Sequence, residues 1–241
     1  KTLIIGKNVD NVNVSDGQAH GINSHFGNLE CIIIEEGNSV YDSRDNCNAL
    51  IETETNELIL GCGNTLIPNT VTSIKCSAFQ YKKGLNSIII PNSVTKIDIG
   101  AFYKSSLSEV FIPSSVEFLP PVLFGGCSAL KSITCESVIP PTLYDPFTDG
   151  MTQDLNVFYG VPKEECVLYV PEEAIDDYKA ANIWREFVNI VSLTNEKVTS
   201  ITLSEVAATL TEGDELTLVA NVAPDYATDP SVVWSSNNPN V

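Results

Sequence analysis

The chain has 241 residues, of which 43% are apolar, so it can form a buried core and more than one domain. Its 31 Asp and Glu against 13 Lys and Arg give a net charge of −18, which would repel phosphate backbones and anionic lipids and excludes nucleic acid as a partner. No apolar run reaches the roughly 18 to 20 residues of a membrane span, so no membrane insertion is expected within this chain.

The first quarter of the chain departs from the pattern that follows it. Residues 1–25 are expected to form either a degenerate repeat or an N-terminal cap. Because Lys1 is not a natural start and no signal-peptide pattern follows it, we expect a processed fragment. Ile34 and Ile67 lie 33 residues apart, about ten more than the period of the later repeats. The extra segment, NALIETETNELIL, has two apolar runs around a polar turn and predicts a β-hairpin.

Three prolines mark an internal repeat in the middle of the chain, since Pro68, Pro91 and Pro113 lie 23 and 22 residues apart. Apolar residues recur at matching offsets: Val71, Val94 and Val116; Ile74, Ile97 and Leu119; Ala78-Phe79, Ala101-Phe102 and Leu123-Phe124; Leu85, Leu107 and Leu130; Ile88, Val110 and Ile133. A period of roughly 20 to 29 residues with a short L-x-x-I-x-I run is typical of a leucine-rich-repeat solenoid, in which stacked repeats bury a core that one repeat cannot form alone. The three phenylalanines are therefore predicted to stack in register.

The repeat continues with a second insertion and then ends. Cys135 and Val170 lie 35 residues apart, one period plus about twelve, and the loop-like PPTLYDPFTDG takes up the excess. Residues 168–171, LYVP, copy the strand of the earlier repeats. A short C-terminal capping helix over the last open edge is predicted from the spacing of Ile175, Tyr178, Ala181, Trp184 and Phe187.

A second domain is predicted from residue 196, where the long period gives way to plain alternation, so that 1–195 form the solenoid with its caps and 196–241 a separate domain. Ile201 and Leu203 alternate, residues 216–222 alternate again, and Trp234 lies in a third strand. Three strands cannot close a sandwich of about seven strands, so the chain is expected to end before this domain does.

These segments resemble known families. IPNSVTKIDIGAF, LSEVFIPSSV and FGGCSALKSI resemble the BspA-type bacterial leucine-rich repeats over residues 26–193, and LYVPEEAIDDYKAANIWREFVNI resembles the cap that ends such arrays. Residues 198–239 are similar to the first half of a bacterial group 2 immunoglobulin-like domain. The resemblance implies a mainly β fold: a solenoid with a parallel sheet on one face and short helices and turns elsewhere, then a partial Ig-like β-sandwich. It also implies secreted or surface-anchored bacterial proteins that adhere to host proteins or other cells, and it offers no catalytic motif to transfer.

Alternation along the strand of each repeat predicts which side chains leave the core. The side chains predicted to point inward are Ile88, Ile90, Val110, Ile112, Ile133 and Cys135. Those predicted to point outward are Ser87 and Ile89, Glu109 and Phe111, and Ser132 and Thr134. When the register is extended, strands spaced by about 4.8 Å present an exposed column of Ile33, Leu66, Ile89, Phe111, Thr134 and Tyr169.

This mostly apolar column has two interpretations. Contiguous exposed apolar surface usually marks an interaction site, and the sheet face of a solenoid is the usual binding surface. β-branched and aromatic residues also favour strands, so the same column could be a cross-strand ladder that stabilises the sheet and binds nothing. Either insertion could also fold over this face and cover it.

The sequence offers little support for metal or catalytic chemistry. The seven cysteines have no C-x-x-C spacing and are interpreted as buried free thiols that act as small apolar residues. His20 and His25 are five residues apart, the wrong step for a metal pair on a helix. The stretch YDSRDNCN has carboxylate and amide oxygens but lacks the central Gly and terminal Glu of an EF-hand loop. We therefore expect no cofactor, no metal site and no catalytic residue.

The sequence thus favours a non-enzymatic recognition or adhesion protein, located outside a bacterial cell or anchored to its surface. Its expected partners are host extracellular proteins or bacterial surface proteins, bound by the solenoid sheet face. Two alternatives remain open, a glycan-binding module and an architectural spacer that binds no ligand.

Overall fold

The computed structural model describes residues 1–12, 26–143, 156–193, 200–203 and 220–223. The chain divides into two compact units, Lys1–Leu193 and Thr194–Val241. The described residues form mostly β-strands, and their one α-helix has six residues. The prediction of a mainly β fold with parallel sheets is confirmed.

A parallel sheet of five strands runs through the first unit. Its strands are β7 (Ser87–Ile89), β9 (Glu109–Ile112), β11 (Ser132–Cys135), β13 (Val167–Val170) and β14 (Asn189–Ser192). Their order follows the sequence, and each strand is parallel to its neighbours. One strand from each successive repeat therefore joins the same sheet, which we call the main sheet.

The repeated prolines turn the chain away from the main sheet. The carbonyl of Pro91 accepts a hydrogen bond from the Val94 N–H at 2.9 Å, and the carbonyl of Pro113 accepts one from the Val116 N–H at 3.2 Å. Proline suits the point where the chain leaves the sheet because it has no N–H to leave unpaired. Both valines are fully buried, so each turn is anchored in the core.

Beyond these turns the repeats form further parallel strands, each only two residues long. β6 (Ser73–Ile74) pairs with β8 (Lys96–Ile97), and β10 (Phe118–Leu119) pairs with β12 (Thr142–Leu143). The expectation of one parallel sheet with helices and turns elsewhere is wrong in this respect. Two residues are too few to show alternation, so the sequence pattern does not reveal these strands.

The predicted hairpin is present and extends this second line of strands. It consists of β4 (Leu50–Glu52) and β5 (Glu57–Leu60), which are antiparallel, and β3 (Tyr41–Asp42) pairs with β4. β5 then pairs in parallel with β6, giving a five-stranded sheet in the order β3-β4-β5-β6-β8. The first insertion therefore joins the second line of strands and not the main sheet.

A column of phenylalanine rings forms the centre of the core. Phe79 and Phe102 lie 5.1 Å apart between ring centroids and within 11° of parallel, and Phe102 and Phe124 lie 5.5 Å apart and within 12°. Phe158 adds a fourth ring, 5.8 Å from Phe124. The rings are fully buried, so the predicted stacking is confirmed. One column of phenylalanine rings links four repeats.

The C-terminal end of the first unit differs from its prediction. α1 (Ile175–Ala180) is followed by a 3-10 turn, Trp184–Glu186, and then by β14 on the edge of the main sheet. The last edge is therefore a strand and not a helix. Tyr178 and Trp184 still close the core: the Tyr178 hydroxyl donates to the Ser137 carbonyl at 3.0 Å, and Trp184 Nε1 donates to the Pro141 carbonyl at 3.0 Å.

The N-terminal residues supply a strand of their own. β1 (Thr2–Ile5) pairs in parallel with β2 (Cys31–Ile34), and Ile4 lies opposite Ile33. A parallel strand in this place favours the degenerate-repeat interpretation over a cap.

Two antiparallel strands are described in the second unit, β15 (Ser200–Leu203) and β16 (Ala220–Ala223), with Ile201 opposite Val222. The predicted third strand around Trp234 and the residues at 216–219 lie outside the described residues.

Candidate functional site on the main sheet

The register of the main sheet separates its side chains into inward and outward columns. The inward column is Ile88, Val110, Ile133, Leu168 and Ile190, and all five side chains are buried. Because successive residues of a strand point to opposite faces, the residues on either side of this column point outward. Burial of the middle column thus fixes which residues each strand presents to solvent.

The outward column nearer the C-terminal ends of the strands is mostly apolar. It contains Ile89, Phe111, Thr134, Tyr169 and Val191. Ile89 is 56% exposed, Tyr169 36% and Val191 39%, while Phe111 and Thr134 are half-buried. We call these five residues the apolar column.

The other outward column is mostly polar. It contains Ser87, Glu109, Ser132, Val167 and Asn189. Ser87, Glu109 and Asn189 are exposed, and Ser132 and Val167 are half-buried. The face therefore offers an apolar stripe with hydrogen-bonding groups along one side, which is the composition of a modest protein-binding surface.

Seven of the nine predicted site residues, Tyr169 among them, lie on the outward face of the main sheet. The other two do not belong to this sheet. Ile33 lies in β2, which pairs only with β1 among the described strands, and it is 45% exposed. Leu66 is 75% exposed but lies in no strand, and its N–H is bonded to the Cys47 carbonyl. The prediction of one unbroken column from Ile33 to Tyr169 is therefore wrong between Ile33 and Ile89.

The interruption has a local cause at Asn48. Its side chain accepts a hydrogen bond from the Ile32 N–H at 2.7 Å and donates one to the Glu30 carbonyl at 2.8 Å. These are the edge groups of β2 that a neighbouring strand would otherwise use. The amide of Asn48 therefore takes the place of a strand, and the ladder does not continue from β2 to Leu66.

Two exposed residues extend the pattern beyond what was predicted. Val191 lies opposite Tyr169, and Ile4, which is 60% exposed, lies opposite Ile33. Val191 follows Ile190 in the run VNIVS, whose alternation signals a strand, but its position after the cap segment favours the end of a helix. Ile4 lies in residues 1–25, which match the repeat pattern poorly.

The buried thiols of Cys127, Cys135 and Cys166 are poorly suited to nucleophilic chemistry. All seven cysteines are free, and Cys31 and Cys76 are the two that are not fully buried. Burial raises the pKa of Cys127, and it raises the pKa of Cys135 and Cys166 to about 11. Since the thiolate is the reactive form, these groups remain thiols at neutral pH.

The oxygen-rich stretch at 41–48 is engaged in internal contacts. Asp42 accepts hydrogen bonds from Arg44 Nε and from the Thr53 hydroxyl, both at 2.8 Å. Burial tends to raise the pKa of Asp42, but these bonds outweigh it and hold the pKa below its ordinary value. Within the described ranges, no three His, Cys, Asp or Glu side chains form a group that could hold a metal ion. His20 and His25 lie outside the described residues.

Comparison with known proteins agrees with this architecture. Residues 61–148 match the family described as BspA type leucine rich repeat region (6 copies). No sequence among curated proteins matches the chain. In the part of the chain that is described, no helix is long and apolar enough to span a membrane.

Two solved bacterial structures are similar in fold. A leucine-rich repeat protein from Eubacterium ventriosum is 20% identical, with a TM-score of 0.52 over 80% of this chain and 49% of that one. A leucine rich cell surface protein from Faecalibacterium prausnitzii is 24% identical, with a TM-score of 0.54 over 79% of this chain and 47% of that one. The chain thus spans about half the length of each structure.

Proposed function

We propose that the chain is a leucine-rich-repeat solenoid that acts as a non-enzymatic recognition module at a bacterial cell surface or outside the cell. The main sheet face binds a host extracellular protein or a bacterial surface protein. The second unit is an immunoglobulin-like spacer. The match to the BspA-type family and the likeness to a leucine rich cell surface protein support this setting.

The observation that carries the proposal is the apolar column. Five neighbouring strands present Ile89, Phe111, Thr134, Tyr169 and Val191 side by side. The register places rings and branched side chains on adjacent strands of one face, and an exposed apolar surface with a polar border usually marks an interaction site. The hairpin of the first insertion pairs with β6 and not with a strand of the main sheet, and most of the second insertion, 144–155, lies outside the described residues.

The test compares wild type with Phe111→Asp and a matched control, Phe118→Asp. Phe118 lies in β10, outside the main sheet, and is 47% exposed. The three proteins are applied to arrays of extracellular-matrix proteins, bacterial surface proteins and glycans. We expect a protein signal that Phe111→Asp loses and Phe118→Asp keeps, because a carboxylate in the middle of the column cannot be desolvated cheaply.

Three other results would contradict the proposal. A glycan signal lost with Phe111→Asp would assign the face to sugar binding, and no signal from wild type would favour a spacer. Equal loss with both variants would show that the sheet face has no special part in binding. Circular dichroism melts of both variants check that each is folded.

A further inference from the structure

A second surface is formed by the turns that follow the stacked phenylalanines. The second residue after each ring donates its N–H to a carbonyl in the next repeat: Tyr81 to Tyr103 at 2.9 Å, Lys104 to Gly125 at 2.8 Å, and Gly126 to Tyr159 at 2.6 Å. These bonds align the turns of four repeats. We call this surface the turn face; its residues are Tyr81, Tyr103, Lys104, Gly125, Gly126, Tyr159 and Gly160.

Two side chains on the turn face stand at backbone positions that favour glycine. The residues two positions after the rings all have positive φ: 57° at Tyr81, 52° at Lys104, and 73° at both Gly126 and Gly160. Glycine adopts this conformation without strain, whereas a tyrosine or a lysine does so at an energetic cost. Strained positions of this kind concentrate at functional sites.

The two adjacent glycines of the next repeat make room for these side chains. A Cβ atom on Gly126 would lie 2.6 Å from Lys104 Cγ, and one on Gly125 would lie 3.1 Å from Tyr103 Cδ2. The stem of Lys104 and the ring of Tyr103 therefore pack directly on the backbone of Gly126 and Gly125. Tyr159, 47% exposed, lies in the repeat that follows these glycines.

The lysine and the tyrosines form one contact group. Lys104 Nζ lies 5.1 Å from the centroid of the Tyr103 ring and 5.9 Å from that of Tyr81, and the two rings meet edge to face at 5.9 Å. Its hydrogen bond to Tyr103 raises the pKa of Lys104, which therefore stays protonated at neutral pH. Among the described residues no carboxylate pairs with this exposed ammonium.

The turn-face residues themselves include no Asp or Glu. The chain has 31 Asp and Glu, yet residues 76–97, 99–108, 118–135 and 156–163 contain none. The same segments hold six lysines, Lys82, Lys83, Lys96, Lys104, Lys131 and Lys163, but Lys82 is buried, and Lys96 and Lys163 are paired with Asp98 and Glu186. Lys104 is the lysine that lies on the turn face. In a chain with a net charge of −18, the exposed ammonium of Lys104 is the group on this surface that would attract an anion.

We propose that the turn face binds an acidic saccharide. The ring of Tyr159, which is 47% exposed, suits the C–H face of a sugar ring, and the ammonium of Lys104 suits a sugar carboxylate. This surface is separate from the apolar column, and the proposal does not depend on protein binding there.

The test uses hyaluronan hexasaccharide and sialyllactose as acidic probes, with chitohexaose and lactose as their neutral counterparts. Titration calorimetry measures their binding to the full chain and to Lys104→Met and Tyr159→Ala. Lys131→Met and Phe118→Ala serve as controls, since both residues are exposed and lie off the turn face.

We expect at least one acidic probe to bind about tenfold or more tightly than its neutral counterpart, and each turn-face variant to lose about tenfold in affinity. The control variants keep wild-type affinity. The proposal is overturned if no acidic probe binds, if neutral probes bind equally well, or if Lys104→Met binds like wild type. Lys104 is exposed, so this variant tests binding even if Tyr159→Ala is unstable.

Discussion

Lys82→Met should stabilise the protein, because Lys82 is a buried lysine whose charge is not paired by any of the described residues. Its side chain is completely buried, and its Nζ has no hydrogen-bond partner among the residues that the structure describes. The one favourable contact described for the ammonium is the ring of Phe26, at 5.9 Å from the centroid. The corresponding positions three residues after the other stacked rings hold the small residues Ser105, Cys127 and Val161, all buried. Methionine matches the length of the lysine stem and removes the charge.

The magnitude follows from the pKa. Burial lowers the pKa of Lys82 from 10.5 to about 8, although the neighbouring Cys62 opposes this. Each pKa unit corresponds to about 1.4 kcal/mol, so burying the charged form costs about 3 kcal/mol. Loss of the contact with Phe26 offsets about 1 kcal/mol of this. We expect Lys82→Met to raise the free energy of unfolding by about 2 kcal/mol at neutral pH.

The lowered pKa of Lys82 also determines how the stability of the wild-type protein changes with pH. Below about pH 8 the lysine is protonated in both states and the folded protein carries the full cost. Between about pH 8 and 10.5 the unfolded chain binds more protons than the folded one, so wild-type stability rises with pH in this window. Above 10.5 the lysine is neutral in both states. The advantage of the methionine variant should therefore shrink as the pH rises from 8 to 10.5.

Urea unfolding, followed by circular dichroism at several pH values between about 7 and 10.5, measures this difference. Subtracting wild type from variant at each pH cancels the titration of the other groups. Lys83→Met is the matched control, since Lys83 is exposed, and its effect should stay within about 0.5 kcal/mol. If Lys82→Met destabilises the protein, or if its effect does not change with pH, the ammonium has a stabilising partner and the reasoning is refuted.

Two further predictions concern the phenylalanine column. Phe102→Ala removes a fully buried ring between Phe79 and Phe124. It should lower the free energy of unfolding, measured by urea titration, by about 3 to 5 kcal/mol. A loss of less than about 1 kcal/mol would show that the phenylalanine column contributes little to stability. Gly61→Ala places a Cβ 2.0 Å from Phe79 Cε1, so the thermal midpoint should fall by an amount equivalent to about 1 to 3 kcal/mol, and an unchanged midpoint would show that the ring can move aside.

The sequence predicts the repeated core well because burial imposes a period on it. Phe79, Phe102 and Phe124 recur at 23 and 22 residues, and each ring must meet the next to be buried. Phe158 is missed because the second insertion separates it from Phe124 by 34 residues. The pair Val157-Phe158 repeats the aliphatic-phenylalanine step and could have identified it.

The site is predicted less completely, since exposed residues are not constrained by the period. Ile89, Phe111, Thr134 and Tyr169 follow from alternation alone, and the structure places them in one column. The prediction that Leu66 belongs to this column is wrong, because alternation cannot show whether a segment pairs with a neighbouring strand. That depends on the side chain of Asn48, 18 residues earlier, occupying the edge of β2.

Lys82 and the turn face are also features that the sequence pattern does not predict. Lysine is almost never fully buried, so hydropathy predicts an exposed side chain at Lys82 where the structure has a buried one. Tyr81 and Lys104 look like ordinary surface residues until their positive φ and the glycines at 126 and 160 are seen in one column. Comparison between repeats makes these residues informative. Where the other repeats have a glycine or a small residue, a bulky or charged side chain lowers the stability of the fold, so its presence calls for another reason. That comparison between repeats of one chain is why the turn face, and not only the apolar column, is a candidate for selection by a ligand.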